Sequence, residues 1–219
     1  MLTSWNQTSA YCPQVSWQVP DGTVAQGASG DATLTTTGKS GSCVALISPG
    51  SYSSVVIEAA IYFPALPGKP NTIADWTSFW LTDGATWPAG GELDAAEAEP
   101  VNGVNAVSWH SGTKSQEFTA STDDFFPVKL PKNCANLTPG WHTIDIVYTK
   151  GFFAVYYDGH QYTSYTSGNV TGSPLDIYLT TSVTPDISSI QQQLGGPPLN
   201  SAGSAVTLAV KYLRIWSYQ

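Results

Sequence analysis

The stretch Trp87-Pro88-Ala89-Gly90-Gly91-Glu92-Leu93-Asp94-Ala95-Ala96-Glu97-Ala98-Glu99 concentrates acid where a β-strand ordinarily carries little. Charged residues are only 11% of the chain, yet four carboxylates fall within the last eight of these positions, separated by small or apolar residues. In a regular strand side chains alternate, so Glu92 and Asp94 share a face while Glu97 falls on the other. One extra residue, a β-bulge between Asp94 and Glu97, returns Glu97 to their face and carries Glu99 with it. Three or four acids on one sheet face are costly to ionise together, a cost normally tolerated only for function. Two carboxylates flanking a third match the needs of a retaining glycosidase: a nucleophile, a general acid/base, and a residue that tunes both.

Composition narrows the setting. A chain of 219 residues fits one domain, expected to span residues 1–219. Its 42% apolar content, with 8 Trp, 11 Tyr and 7 Phe, fills a large core and leaves aromatics for a cleft. Abundant Thr, Ser, Gly and Pro, a single Met and no sustained helical periodicity favour strands and turns. The formal net charge of −8, with 8 basic residues that never cluster, argues against nucleic acid and anionic membranes as partners. A neutral polysaccharide is compatible. No apolar run approaches a membrane span, and Met1-Leu2-Thr3-Ser4 does not begin a signal peptide, which leaves a cytosolic protein or the mature form of a secreted one, the second being the expectation. Cys12, Cys43 and Cys134 allow one disulfide in three pairings and match no zinc pattern. Three sequons, at Asn6, Asn136 and Asn169, arise easily by chance in a Thr-rich chain.

Short β-rich runs recur between turn signals at 32–37, 43–48, 54–63, 77–82, 92–99, 105–111, 141–149, 152–157, 160–165, 175–183 and 205–216. This spacing predicts a sandwich of two antiparallel sheets. Lys150-Gly151 and Asp158-Gly159 read as hairpin turns, the second of type I′. Segments 64–75 and 112–140 read as long loops, and 185–204 as a loop with a short helical turn at 188–194. No repeat or interdomain linker is visible.

The run Trp-Pro-x-x-Gly-Glu-Leu-Asp-x-x-Glu resembles the active-site signature of glycoside hydrolase family 16, in the bulged E-x-D-x-x-E form of its laminarinase-like members. Further blocks follow in the family's order. Phe79-Trp80-Leu81 is similar to its F-W-L strand, with Trp76 placed like the Trp that opens it. His110, in Val107-Ser108-Trp109-His110, lies where the histidine-bearing strand is expected. Trp141-His142-Thr143, Tyr156-Tyr157-Asp158-Gly159 and the closing Val210-Lys211-Tyr212-Leu213-Arg214-Ile215-Trp216 resemble later strands. The resemblance covers about residues 50–219. It implies an all-β, single-domain β-jelly-roll sandwich of the concanavalin A-like lectin/glucanase type, with a cleft on a concave face. It further implies endo-acting hydrolysis of internal β-glycosidic bonds with retention, on a β-1,3-glucan by preference. Mixed-linkage β-glucan, galactans, transglycosylation and non-catalytic carbohydrate binding remain as alternatives. No cofactor is required by this chemistry, a structural calcium away from the cleft is compatible with the family, and a monomer is expected.

In this reading Glu92 is the nucleophile, Glu97 the acid/base whose pKa burial raises, and Asp94 the residue that hydrogen-bonds and positions Glu92. Trp76, Trp80, Trp87 and Trp109 are candidate sugar platforms, because aromatic faces stack on the apolar faces of pyranose rings. Alternation alone equally allows Trp80 and Trp109 in the core. His110 and Glu99 are candidate substrate contacts. Trp5, Trp17, Trp141 and Trp216 are assigned to packing, and His142 and His160 to structure. There is no G-x-S-x-G elbow, phosphate-binding glycine loop or metal-binding His pair. Ser54-Val55-Val56-Ile57-Glu58-Ala59-Ala60 departs from the family's Y-G-R-F-E-A-R strand, and Leu179-Thr180-Thr181-Ser182-Val183 from its N-L-A-V-G-G strand. Lys211 replaces an Asp. These changes touch sugar subsites and leave the acidic trio intact.

Overall fold

Alternation is the main instruction in this chain. Along Val55-Val56-Ile57-Glu58-Ala59-Ala60-Ile61-Tyr62-Phe63 the odd-numbered residues are fully buried, and every even-numbered one is more exposed than the residues flanking it. A period of two is the signature of a strand with one face on a core.

The computed structural model of the protein describes residues 6–8, 18–98, 105–113, 116–121, 137–184 and 203–218. Among these the chain forms β1 (Asn6–Thr8), β2 (Thr23–Gln26), β3 (Ala32–Thr35), β4 (Cys43–Ile47), β5 (Val55–Phe63), β6 (Ala65–Leu66), β7 (Lys69–Ile73) and β8 (Trp76–Thr82). It continues with β9 (Glu92–Ala98), β10 (Asn105–Thr113), β11 (Gln116–Ser121), β12 (Gly140–Thr149), β13 (Phe152–Tyr157), β14 (His160–Thr166), β15 (Asp176–Ser182) and β16 (Thr207–Ser217). One antiparallel sheet has the order β1-β4-β15-β8-β9-β10-β11, and a second β14-β13-β12-β5-β16-β3-β2. Inward side chains of both sheets merge in one core, with Phe79, Leu81, Leu93 and Trp109 from the first and Ile57, Ile61, Ile146 and Phe153 from the second. The fold is the expected jelly-roll sandwich.

Three local expectations are corrected. Segment 64–75 holds the small hairpin β6–β7 rather than a loop, because Gly68 (φ 78°) supplies the left-handed residue that a tight turn needs. Segment 112–140 contributes edge strand β11, and β2 adds a strand that the sequence reading left out. The helical turn expected at 188–194 lies outside the described residues. The Asp158-Gly159 turn forms with both residues at positive φ (51° and 77°), as a type I′ hairpin requires. The Asp158 carboxylate accepts from Thr143 N–H at 2.9 Å and pairs with His142 Nδ1 at 2.7 Å. His142 is therefore a structural residue of that hairpin.

The feature that positions the site is the bulge in β9. Asp94 lies opposite Trp80 and Ser108, and Glu97 opposite Ser78 and Ala106. Between these pairs β9 has Ala95 and Ala96, whereas β8 has only Phe79 and β10 only Val107. A bulge takes a residue out of the ladder and leaves its backbone groups to find other partners. Here the Tyr157 hydroxyl, reaching across from the second sheet, donates to the Ala95 carbonyl at 2.6 Å. Removing one partner of a buried bond leaves the other unsatisfied, at a cost of about 1–3 kcal/mol. Tyr157→Phe is expected to lower the free energy of unfolding by about that amount in urea titration; an unchanged midpoint would show that the bulge does not need this bond.

Candidate active site

Residues opposite one another on neighbouring antiparallel strands share a face, so the register gives the site directly. One row runs Asp176, Thr82, Glu92, His110; the next Tyr178, Trp80, Asp94, Ser108; the third brings Thr180 and Ser78 to Glu97. All three rows lie on the face of the first sheet turned away from the core. The alternate rows, such as Ile177, Leu81, Leu93 and Trp109, point inward. The bulge is what puts Glu97 on the face of Glu92 and Asp94.

Each acid has its own partners. Asp94 is buried and accepts from Ser108 Oγ at 2.5 Å, with His110 Nε2 at 3.5 Å from the same carboxylate oxygen. Glu97 accepts from the indole N–H of Trp76 at 2.7 Å. Thr82, itself buried, hydrogen-bonds Glu92. The expected hydrogen bond from Asp94 to Glu92 is thus replaced: among the described residues Asp94 is held by Ser108 and His110, and it acts on Glu92 through charge.

Burial pushes the Glu92 carboxyl up to about 8, and the negative charges of Asp94 and Glu97 add to the rise, while His110 and the Thr82 hydrogen bond oppose it. A raised carboxyl is found at Glu92, a residue for which the sequence reading expected no such shift. The raised value keeps a proton on Glu92 at neutral pH.

The aromatic candidates separate into distinct environments. Trp76 is half-buried and committed to Glu97 through its N–H. Trp80 lies on the site face but is 2% exposed, stacked on Tyr178 at 4.4 Å with its indole N–H donated to Thr180 Oγ1. It is floor rather than open platform. Trp87 is exposed, with its ring 6.5 Å from that of His110, at the rim of the site. Its turn is tied down by Thr86 Oγ donating to Asp83 and by Thr171 Oγ donating to the Gly90 carbonyl. Gly91 (φ 104°) closes that turn where an added Cβ would meet the Trp109 ring at 2.5 Å. Trp109 itself is corrected: it is fully buried in the core beside Tyr148 and Phe153 and donates to the Asn169 carbonyl, so no sugar can reach it. Glu99 lies outside the described residues. Trp141 and Trp216, assigned to packing, are 47% and 48% exposed on the opposite side of the sandwich.

Sequence reasoning missed Ser108, Thr82 and Tyr178. Ser108 was within reach, since alternation from His110 places it on the same face. Thr82 and Tyr178 become visible only when register sets them beside Glu92 and Trp80. Beyond Trp76 the face continues into a depression lined by Gln18, Cys43, Ser78, Thr180 and Ser182, with Gln18 Nε2 donating to Ser182 Oγ at 3.3 Å. Cys43 is disulfide-bonded, which removes the Cys12–Cys134 pairing; its partner lies outside the described residues. Glu92, Asp94 and His110 each offer one ligand atom, all within 4.8 Å of one another. Two carboxylates and an imidazole suit a transition ion better than calcium, and this place lies within the acidic site rather than away from it.

Solved structures with this fold include a glycoside hydrolase family 16 endo-glucanase from Bacteroides ovatus, with TM-score 0.70 and 15% identity over 97% of this chain and 94% of that one. The LamA catalytic domain of Zobellia galactanivorans superposes with TM-score 0.65 and 15% identity over 97% and 90% of the two chains. An endo-β-1,3-glucanase from Pyrococcus furiosus does so with TM-score 0.56 and 21% identity over 87% and 78%. The chain has the laminarinase-like fold of family 16. No protein-family model matches the sequence, and no curated protein matches it.

The pH dependence of stability has a definite sign. Between the ordinary value of 4.5 and about 8, folded Glu92 holds a proton that the unfolded chain has released. Its contribution to stability is fully present below the lower value and is lost as pH rises through the upper one, at about 1.4 kcal/mol per unit of separation. The Tm of the parent is expected to fall by several degrees between pH 5 and pH 9, and Glu92→Gln to remove most of that fall. Parallel Tm profiles for parent and variant would refute the assignment.

Proposed function

We propose that the protein is an endo-acting glycoside hydrolase that cleaves internal β-glycosidic bonds of a polysaccharide with retention, and that its substrate is a β-1,3-glucan. The observation that carries this reading is the bulged register of β9, which gathers Glu92, Asp94 and Glu97 on one outward face. Glu92 attacks the anomeric carbon while Glu97 gives its proton to the departing glycosidic oxygen. Water then enters, Glu97 takes a proton from it, and the hydroxide displaces Glu92 to release the sugar. This cycle needs one proton on the pair and one free carboxylate. A cluster that retains one proton at neutral pH holds that inventory, and a sugar entering the site has only to shift the proton from Glu92 to Glu97. Asp94, held by Ser108 and His110, supplies a fixed negative charge beside Glu92 that stabilises the positive charge developing on the sugar in the transition state.

The substrate preference is supported by the bulged E-x-D-x-x-E spacing and by the shared fold with an endo-β-1,3-glucanase. Trp87 at the rim is the candidate stacking ring. The disulfide at Cys43 supports an oxidising, extracellular setting.

The test is reducing-sugar release from laminarin, barley β-glucan, agarose, carrageenan and galactan. Laminarin is expected to be cut fastest, and Glu92→Ala and Glu97→Ala are each expected to lose about a thousand-fold or more in rate without loss of folding. Near-parental activity in either variant removes that residue from the mechanism. Polysaccharide binding without any release of reducing ends would make the protein a lectin instead.

A further inference from the structure

The outward face of the second sheet carries aromatic surface that the catalytic reading leaves unused. Along β16 and just past it, Tyr212, Arg214, Trp216 and Tyr218 alternate with Leu213 and Ile215, which pack on the core. Trp216 is 48% exposed and Tyr218 59%. Register sets Trp216 opposite Val56 and Arg214 opposite Glu58 on β5, with Tyr62 at the far end of β5 opposite Trp141 of β12. Tyr62 and Trp141 meet edge to face at 5.6 Å and are both exposed. Six residue steps along β5, from Val56 to Tyr62, separate the two aromatic ends, about 20 Å at the rise of a strand. Between them lie polar groups: Arg214 bonded to Glu58 at 2.9 Å and placed 4.2 Å over the Tyr212 ring, with Asp145 opposite Glu58.

Exposed aromatic surface interspersed with polar groups marks an interaction surface. The chemistry of this one selects its occupant. Glu58 and Asp145 balance Arg214 and the neighbouring Lys211, so the strip offers a polyelectrolyte no net charge to seek. The formal charge of −8 opposes nucleic acid, anionic membrane and a second copy alike. A neutral sugar polymer needs what is present: ring faces for the apolar sides of its pyranoses, with hydrogen-bonding groups between them, in a line.

We propose that Trp216 and Tyr218, with Tyr62 and Trp141, form a second, non-catalytic platform that binds a neutral polysaccharide chain on the side of the sandwich opposite the acids. This rests on the polysaccharide reading of the active site, and it gives the protein two grips on one long substrate. A second grip raises the local concentration of polymer at the cleft without any new catalytic contact.

The experiment is native electrophoresis of the full chain through gels containing laminarin or barley β-glucan, in a Glu92→Gln background so that the polymer stays intact. Adding Trp216→Ala and Tyr218→Ala is expected to weaken retardation about five-fold, as the loss of two stacking rings predicts. Trp141→Ala, on a different strand, is expected to weaken it as well. With Glu92 restored, the Trp216→Ala/Tyr218→Ala variant is expected to cut short soluble oligosaccharides at the parental rate but the polymer more slowly. Retardation unchanged in both sets of variants overturns the platform, and so does a dimer in sedimentation that Trp216→Ala dissociates. A parent that cuts polysaccharide but is not retarded removes the platform alone. A parent that is retarded through these rings but cuts nothing removes the hydrolase reading and leaves the platform standing.

Discussion

A single hydrogen bond from one sheet to the other, Tyr157 hydroxyl to Ala95 carbonyl, anchors the irregularity on which the site depends. Without an extra residue in β9, alternation would send Glu97 into the core among Phe79, Leu81 and Trp109, where an unpaired carboxylate is untenable. With it, Leu93, Ala95, Ala96 and Ala98 are buried while Glu92, Asp94 and Glu97 face outward. The two alanines at the bulge are small enough for both to lie against the core. The tyrosine that satisfies the displaced carbonyl belongs to the hairpin closed by Asp158-Gly159, so the acidic strand takes its shape from the opposite sheet.

The acids are tolerated because their surroundings are arranged around them. Ser108 and His110 hold Asp94, Trp76 donates to Glu97 and Thr82 to Glu92, while the core beneath is continuous and apolar. The Thr82 hydrogen bond favours the charged form of Glu92, and burial opposes it. The outcome at Glu92 is a carboxyl raised well above its ordinary range. Residues that read as ordinary polar strand positions, Ser108 and Thr82, therefore belong to the electrostatics of the site.

The aromatic residues divide between the two faces of the sandwich in a way that assigns them different work. On the acidic side Trp80 and Tyr178 cover one another and form a rigid floor, Trp76 is fixed by Glu97, and Trp87 alone of the four tryptophan candidates stands exposed at the rim. On the far side, Trp141, Trp216 and Tyr218 expose more of their surface than Trp87 does. Assigning tryptophans to packing by default fails there because burial of a strand residue depends on what lies over its outer face, and no second layer covers these strands among the described residues.

By itself the amino-acid sequence determined the class of fold, the hairpin at Asp158-Gly159 and the acid spacing that calls for a bulge. Periodicity, turn chemistry and charge are local properties, legible within a few residues. Tertiary structure decided which tryptophans face the site, since alternation defines two faces without saying which one meets a core, and it buried Trp109 while opening Trp216. It also decided that burial raises the pKa of Glu92 and that Ser108 bonds to Asp94. Desolvation and hydrogen bonding depend on neighbours brought together by register across strands far apart in the chain.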